Sequence, residues 1–274
     1  MPKISVITGA YNAASCPNFD KSIKSVLDQT FGDFEFIICD DGSTDATYMR
    51  LKEYAAADTR ILLLQNAENL GLVKTLNKCL EYARGEYVAR HDCDDYNSLD
   101  RFEKQVAYLD ANSEVSILGT SVRLFDENGV YGKELVPKEV TAKSFLFNNP
   151  YKHGSVMLRR SAILNAGGYR VAKETVRNED YDLFMRMHTF CRGANIEEPL
   201  YYFCEDKNAR NRRKYKYRIN EAKVRAKGFS ALGLMPKAVP YVVKPLIVGL
   251  LPDGLLKRLQ ARRRKKRADK NTDK

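Results

Sequence analysis

The chain has 274 residues, of which 44% are hydrophobic and 30% charged, so it can bury a sizeable core and is not a disordered protein. Its six cysteines show neither CxxC spacing nor the density of a disulfide scaffold, which predicts free thiols in a reducing cytosol and argues against zinc. The first residues run directly into a strand-like segment, so we expect no signal peptide and a cytoplasmic protein.

The net charge of +11 is distributed unevenly along the chain. Residues 1–206 carry 24 basic and 31 acidic side chains, a net charge of −7, whereas residues 207–274 carry 22 and 4, a net charge of +18. This abrupt change predicts one domain at residues 1–205 and a basic, mainly helical extension with a disordered tail at residues 206–274.

Short apolar runs alternate with helical patterns in the first third of the chain. Residues 3–8, 34–39, 60–64 and 86–91 are predicted as strands buried on both faces. Apolar side chains with helical spacing begin at Phe19, Tyr48 and Val73, and Asp45 is predicted to cap the second of these helices. The alternation predicts an α/β fold with a mostly parallel central sheet flanked by helices.

Three of the predicted strands are followed by polar segments. They are residues 8–12, 40–45 and 92–95. Because ligands of open α/β sheets bind beyond the carboxyl ends of the strands, we expect these segments to meet at one edge. Tyr11 offers a ring for stacking on a uracil-like base, and a carboxylate of Asp40 or Asp41 can accept its imide N–H. Asp92 and Asp94 can bind Mg2+ or Mn2+, so the edge is predicted to bind a nucleotide diphosphate.

Five segments are distinctive when they are taken together. They are residues 5–12 (SVITGAYN), 29–45 (QTFGDFEFIICDDGSTD), 69–71 (NLG), 92–95 (DCDD) and 179–183 (EDYDL). In this order they resemble the motifs of the family 2 glycosyltransferases, over roughly residues 3–205. The resemblance implies a GT-A catalytic domain at residues 1–205. It also implies metal-dependent transfer of a sugar with inversion at the anomeric carbon, from a nucleotide-diphosphate donor. A UDP-sugar is the donor that the family most favours. The implied acceptor is a hydroxyl of a glycan or lipid-linked acceptor in cell-surface polysaccharide synthesis.

The resemblance further implies roles in donor and metal binding. Tyr11 matches the aromatic residue that stacks on the base, and Asp41 matches the carboxylate that pairs with it. Thr8 lies in the same nucleotide-binding segment. Asp94 matches the principal metal ligand, and Asp92 matches a residue near the ribose or the metal.

The second half of the implied site includes the catalytic base, which matches Asp180. Because Asp180 also begins a predicted helix, the helix dipole alone would favour a carboxylate there. His153 matches a histidine near the diphosphate or the sugar, and a structural histidine is the alternative. The roles of Glu179, Asp95 and Lys74 stay open; Lys74 is considered because the arginine that often follows the family's third motif is missing here.

The C-terminal quarter contains an apolar stretch at residues 238–252, which is too short and too interrupted by prolines and Lys244 to span a bilayer. Basic clusters flank it at residues 212–214 and 262–267. This combination predicts peripheral attachment to an anionic membrane surface at its cytoplasmic face. The alternative is a helical appendix packed on the catalytic domain.

Two rival classes of protein remain beside the enzyme. The pI of 9.3 and the arginine-rich tail suggest a nucleic-acid-binding protein, but the net negative charge of residues 1–206 argues against nucleic acid at the predicted site. The other rival is a membrane-surface adaptor that keeps the fold without activity.

Overall fold

The computed structural model describes residues 1–204 and 215–251, which form one ten-stranded sheet flanked by helices. The strands are β1 (Ile4–Ala10), β2 (Phe34–Asp40), β3 (Ile61–Gln65), β4 (Tyr87–Arg90), β5 (Tyr96–Asn97), β6 (Val115–Asp126), β7 (Gly129–Glu134), β8 (Glu139–Val140), β9 (Met157–Arg159) and β10 (Arg192–Cys204). The α-helices are α1 (Phe19–Leu27), α2 (Thr47–Ala57), α3 (Leu72–Tyr82), α4 (Arg101–Ala111), α5 (Arg160–Asn165), α6 (Glu179–Met187), α7 (Tyr215–Ala231) and α8 (Val239–Leu250).

The first four strands pair in parallel in the order β3-β2-β1-β4, with α1, α2 and α3 as the connections between them. This arrangement confirms the βα alternation predicted for the first third of the chain. The N-cap of α2 is Ala46, so the predicted cap at Asp45 is wrong by one residue; Asp45 lies just before it and accepts a hydrogen bond from the backbone N–H of Thr47 at 2.9 Å. All six cysteines are free thiols, as predicted.

Side chains from successive strand residues pack into two separate cores, one on each face of the sheet. Ile7 and Ile37 belong to the core that also contains α3 and α6, whereas Val6 and Phe36 belong to the core that contains α1 and α4. Neighbouring side chains of a strand point to opposite faces. The strands are therefore buried on both sides, which is why they read as continuous apolar runs.

The second half of the sheet is mixed. Strand β9 runs antiparallel to both β4 and β6, while β6 and β10 pair in parallel over most of their length. Because β9 is antiparallel to β4, the residues just before β9 lie beside the carboxyl end of β4. The backbone N–H of Arg90 accordingly donates to the carbonyl oxygen of Val156 at 2.9 Å. This reversal brings residues 153–156 to the edge where the acidic segment begins.

Helices α7 and α8 pack against each other and against the rest of the chain. The buried guanidinium of Arg225 on α7 donates to the carbonyl oxygens of Leu146 and Phe147, at 2.9 and 3.4 Å, and pairs with Glu221 at 3.0 Å. The described part of the predicted extension is therefore attached to the loop before β9. The predicted boundary at residue 205 and the predicted disordered tail lie outside the described residues, and the division into domains stays a prediction.

Candidate active site

The carboxyl ends of β1, β2 and β4 lie side by side. In the parallel pairing Ala10 is opposite Asp40, and Ile7 is opposite Arg90. The chain continues the contact beyond the strands, since the backbone N–H of Asp41 donates to the carbonyl oxygen of Ala10 at 2.8 Å. The polar segments after the three strands therefore extend from one edge of the sheet, as expected from the sequence.

The loop after β1 is hydrogen-bonded to the loop after β2. The backbone N–H of Asn12 donates to Oγ of Ser43 at 3.0 Å, and that of Thr44 donates to Oδ1 of Asn12 at 2.9 Å. Asn12 has a φ of +47°, a left-handed conformation that asparagine adopts more readily than most residues. The neighbouring Tyr11 is 47% exposed, so its ring is accessible for stacking on a base.

Asp41 is only 3% exposed and holds the loop that precedes α3. Its Oδ1 accepts hydrogen bonds from Nδ2 of Asn66 at 2.8 Å and from the backbone N–H of Leu70 at 2.9 Å. Its Oδ2 accepts one from the backbone N–H of Gly71 at 2.9 Å. A carboxylate has about four acceptor positions, so roughly one remains for a ligand. The contact between Asp41 and a base stays a prediction, and its contact with the loop is an additional structural role.

Gly42 allows these two loops to approach each other closely. Its φ is +66°, and a Cβ atom at this position would lie 2.5 Å from the carbonyl carbon of Glu68. Any larger residue would both strain the backbone and collide with the neighbouring main chain. Steric contact with the main chain of Glu68 therefore explains why the third residue of the DDGS segment is glycine.

The side chain of Thr8 lies inside the sheet. It is fully buried, and its hydroxyl donates to the carbonyl oxygen of His91 at 2.9 Å. Thr8 therefore joins β1 to the beginning of the acidic segment. The contact between Thr8 and a nucleotide stays a prediction.

The first carboxylate of the acidic segment, Asp92, forms an ion pair with the fully buried Arg90. Burial opposes ionisation of Asp92, but the positive charge of Arg90 and the nearby His153 outweigh it, so the pKa of Asp92 lies below its ordinary value. Tyr201 fixes the main chain here, because the backbone N–H of Asp92 donates to its phenolic oxygen at 3.2 Å.

The next two carboxylates differ sharply in their surroundings. Asp94 is exposed, whereas Asp95 is buried and its Oδ1 accepts a hydrogen bond from the backbone N–H of Cys204 at 2.7 Å. Burial, together with the negative charges of Asp94 and Asp92, raises the pKa of Asp95 well above its ordinary value. Asp95 therefore attaches the acidic segment to the end of β10, and Asp94 is the carboxylate that faces solvent.

Asp92 and Asp94 offer carboxylate oxygens, which are the ligands that hard divalent cations prefer; a substrate would supply the remaining ligands. Among the described residues, no group of three or more His, Cys, Asp or Glu side chains is arranged to hold a metal ion by itself. Mg2+ and similar ions are commonly bound by one or two carboxylates together with phosphate oxygens and water. Asp92 and Asp94 are the candidate ligands from this chain, and their binding of a metal–diphosphate complex stays a prediction.

The candidate base, Asp180, lies in the first turn of α6 and is half-buried. Its Oδ2 accepts a hydrogen bond from Nδ2 of Asn149 at 2.8 Å, and its Oδ1 accepts one from the backbone N–H of Tyr181 at 2.7 Å. Burial and the negative charge of Asp180 raise the pKa of the adjacent Glu179 to about 7. The start of α6 therefore combines an oriented carboxylate with one that titrates near neutral pH.

His153 connects the acidic segment with α6. Its Nε2 lies 2.8 Å from the hydroxyl of Tyr169, which fixes the orientation of the ring. Burial and the charge of Arg90 lower the pKa of His153, while the charges of Asp180 and Asp92 act in the opposite direction. The ring of His153 also packs edge-on against Phe184 of α6, with centroids 6.3 Å apart. A direct contact of His153 with substrate stays a prediction.

Three residues of this arrangement were not singled out from the sequence. Arg90 pairs with Asp92, Asn149 orients Asp180, and Tyr169 orients His153. A signal existed for Arg90, because a charged residue that ends an apolar buried strand needs a partner. Nothing in the local sequence marks Asn149 or Tyr169, since each acts on a residue distant in the chain.

Comparison with known families gives a match to the model described as glycosyl transferase family 2, over residues 5–168. Among curated proteins, the chain is 39% identical to the glycosyltransferase EpsE of Bacillus subtilis, over 96% of this chain and 94% of EpsE. It is 31% identical to WfgD of Escherichia coli, a UDP-Glc:alpha-D-GlcNAc-diphosphoundecaprenol beta-1,3-glucosyltransferase, over 66% of this chain and 68% of WfgD.

Two solved structures share the fold. TarS from S. aureus in complex with UDP-GlcNAc has a TM-score of 0.68 and 21% identity, covering 90% of this chain and 71% of TarS. The mannosyltransferase PcManGT from Pyrobaculum calidifontis, in complex with GDP-Man and Mn2+, has a TM-score of 0.61 and 19% identity. That alignment covers 95% of this chain and 79% of PcManGT.

Proposed function

Because the chain belongs to glycosyltransferase family 2 and has the GT-A fold, we propose that it transfers a sugar from a UDP-sugar to a hydroxyl of a lipid-linked glycan. One observation supports the proposal: the segments that contain Tyr11 and the Asp92–Asp94 pair follow β1 and β4, which pair side by side, and the charges of Asp92 and Asp180 both act on the ring of His153. An exposed ring, a metal-binding pair and an oriented base are the groups that such a transfer needs.

The donor and the metal are supported by the relatives. The name of WfgD specifies a UDP-linked sugar, and TarS was solved with UDP-GlcNAc. PcManGT was solved with GDP-Man and Mn2+, which supports a divalent cation at the same fold. In this chain Tyr11 would stack on the base, and Asp94 with the remaining oxygen of Asp92 would hold Mn2+ or Mg2+.

In the proposed reaction Asp180 removes the proton from the acceptor hydroxyl as its oxygen attacks the anomeric carbon. The bond from that carbon to the diphosphate oxygen breaks, and the electron pair leaves with the nucleoside diphosphate. A bound divalent cation would neutralise the charge that develops on the departing diphosphate. General-base assistance contributes about 10²–10⁴-fold to the rate. A single displacement with the base opposite the leaving group inverts the anomeric centre, as in inverting glycosidases.

The class of acceptor is supported by the name of WfgD, whose acceptor sugar is carried on a diphosphoundecaprenol lipid. Another relative, 30% identical over 72% of this chain, is named for the biosynthesis of amylovoran in Erwinia amylovora. We therefore place the reaction in polysaccharide synthesis, at the cytoplasmic face of the membrane that holds the lipid.

Calorimetric titration of the full chain with UDP, in the presence and absence of Mn2+, tests the donor site. We expect binding that requires the metal and is lost in Asp94→Ala. Asp28→Ala is the matched control, since it removes another exposed carboxylate, at the residue that follows α1, and should bind UDP normally. If UDP with Mn2+ does not bind to the unaltered chain, the UDP donor is wrong, and the same titration with GDP and dTDP identifies the nucleotide.

A further inference from the structure

Helix α8 has an exposed apolar face in the described part of the chain. Its members are exposed by between 39% and 73%: Val239, Val243, Ile247 and Leu250. They are spaced four, four and three residues apart, so they share one side of the helix. Exposed aliphatic residues that occur singly need no explanation, but four in one row on a single helix are typical of an interaction site.

The other side of α8 is attached to the protein, so the direction of the apolar face is defined. Pro245 is buried, and a Cβ atom at Gly249 would lie 2.9 Å from side-chain atoms of Arg218 and Tyr215 on α7. The close approach at Gly249 holds α8 along α7 with its apolar face turned outward. No helix in residues 1–204 or 215–251 is both long and apolar enough to cross a membrane.

The basic residues of the C-terminal quarter supply a second attraction to an anionic membrane, beside that of the apolar face. Residues 207–274 carry a net charge of +18, and six consecutive basic residues occupy positions 262–267. The basic run begins twelve residues after Leu250. A fully extended chain of twelve residues spans about 40 Å. It can therefore reach the same surface that the apolar face contacts. An apolar helix face together with a polybasic segment supplies the two attractions that stable peripheral membrane binding needs.

We propose that α8 docks through Val239, Val243, Ile247 and Leu250 on an anionic membrane, where it lies in the interface. The inference rests on the proposed function in one respect: the lipid-linked acceptor would be held in the same membrane. The basic run would bind the acidic headgroups beside the docked helix.

The docked helix is connected to the candidate base through the loop before β9. Nζ of Lys244 on α8 donates to the carbonyl oxygen of Phe147 at 3.3 Å, and the ring of Phe147 packs on that of Tyr241 with centroids 5.1 Å apart. Two residues further along, Asn149 orients Asp180. Docking of α8 would therefore fix the position of the base relative to an acceptor that projects from the membrane.

Flotation of the full chain with vesicles tests the proposal without donor or acceptor. We compare vesicles of phosphatidylcholine alone with vesicles that contain about 30% phosphatidylglycerol. The second composition gives the vesicles a negative surface charge like that of an anionic membrane. The variant Val243→Glu with Ile247→Glu places two charges on the apolar face. The matched control, Met49→Glu with Val130→Glu, places them on exposed apolar positions of α2 and β7.

We expect the unaltered chain and the control to bind anionic vesicles, and the α8 variant to bind at least tenfold more weakly. Replacing the basic residues of 262–267 by glutamine should weaken binding to anionic vesicles. The binding that remains should depend on the apolar face of α8 and should therefore be less sensitive to salt. Equal binding of the α8 variant and the control overturns the proposal. So does a monomer–dimer shift or a lower melting temperature in the α8 variant alone, because either would show that the face is covered by protein. Calorimetry with UDP on the same variants reports the donor site separately.

Discussion

The buried guanidinium of Arg90 forms an ion pair with Asp92, the first carboxylate of the acidic segment. Arg90 also donates to the carbonyl oxygen of Ile7 at 3.4 Å, so it connects the segment to β1. Its charge acts on Asp92, on His153 and on Glu179. One cation at the carboxyl end of β4 therefore acts on residues of both the proposed metal-binding half and the proposed proton-transfer half of the site.

Arg90→Met should destabilise the protein by about 2–3 kcal/mol. Breaking a buried ion pair costs about 3–5 kcal/mol, and the side chain of Asp92 is 28% exposed, which reduces the penalty. Urea unfolding gives the free energy directly. The double variant Arg90→Met with Asp92→Asn should recover part of the loss, because it no longer leaves an unpaired charge. A double variant less stable than Arg90→Met alone would contradict the ion-pair explanation.

Asp180→Asn should lower kcat by about 10²–10⁴-fold, the usual contribution of a general base. Donor affinity should stay unchanged, since the predicted contacts with UDP lie on other elements. Single-turnover assays with donor and acceptor, paired with calorimetric titration of UDP, separate the two effects. Unchanged turnover would remove Asp180 from the reaction, and a parallel loss of UDP binding would show that the substitution disturbs the site as a whole.

Asn149→Ala should lower kcat/KM by roughly fivefold, the value of about one hydrogen bond. Because Asn149 donates to Oδ2 of Asp180, its loss should leave the base less well oriented, while the affinity for UDP stays unchanged. The exposed neighbour Asn148→Ala is the control and should leave both the rate and the UDP affinity as they are. A parallel loss of UDP binding would indicate that Asn149 acts on the shape of the site as a whole.

Glu179→Gln should stabilise the protein relative to the unaltered chain, and more so as the pH rises. In the folded state the pKa of Glu179 is raised from 4.5 to about 7. Its contribution to stability is therefore fully present below about pH 4.5 and is lost as the pH rises through about 7. The difference in unfolding free energy between the two proteins should grow by about 2–3 kcal/mol from pH 5 to pH 8. Urea unfolding across this range measures it, with the exposed Glu81→Gln as the control. A difference that does not change with pH would argue against a raised pKa of Glu179.

Gly42→Ala should weaken UDP binding and lower stability, because the added methyl group meets the backbone of Glu68. Gly167→Ala is the matched control: its φ of +74° imposes similar backbone strain, but no atom lies within 4 Å of its added Cβ. The strain alone costs about 1 kcal/mol. Thermal unfolding should show a larger loss for Gly42→Ala than for Gly167→Ala. Equal losses would mean that strain explains the glycine and that the loops can separate freely.

Much of the first third of the fold follows from local patterns. Ile4, Val6 and Ile7 are buried on both faces of the sheet, so β1 reads as a continuous apolar run without reference to any other strand. The parallel order then places the ends of β1, β2 and β4 together, and Tyr11, Asp41 and the acidic segment with them. The mixed second half was not predicted strand by strand, because the pairing of β9 depends on contacts with β4 and β6 that its three residues do not reveal.

The sequence by itself determined the βα order, the family resemblance and which carboxylates are candidates for the site, because strand periodicity and short motifs are local properties. Only the tertiary structure decided what surrounds each carboxylate. Asp41 is held by the loop before α3, Asp95 holds β10, and Asp180 is oriented by Asn149, 31 residues away in the chain. Burial and the distance to other charges set the protonation of these groups, and both arise only when elements distant in sequence pack together.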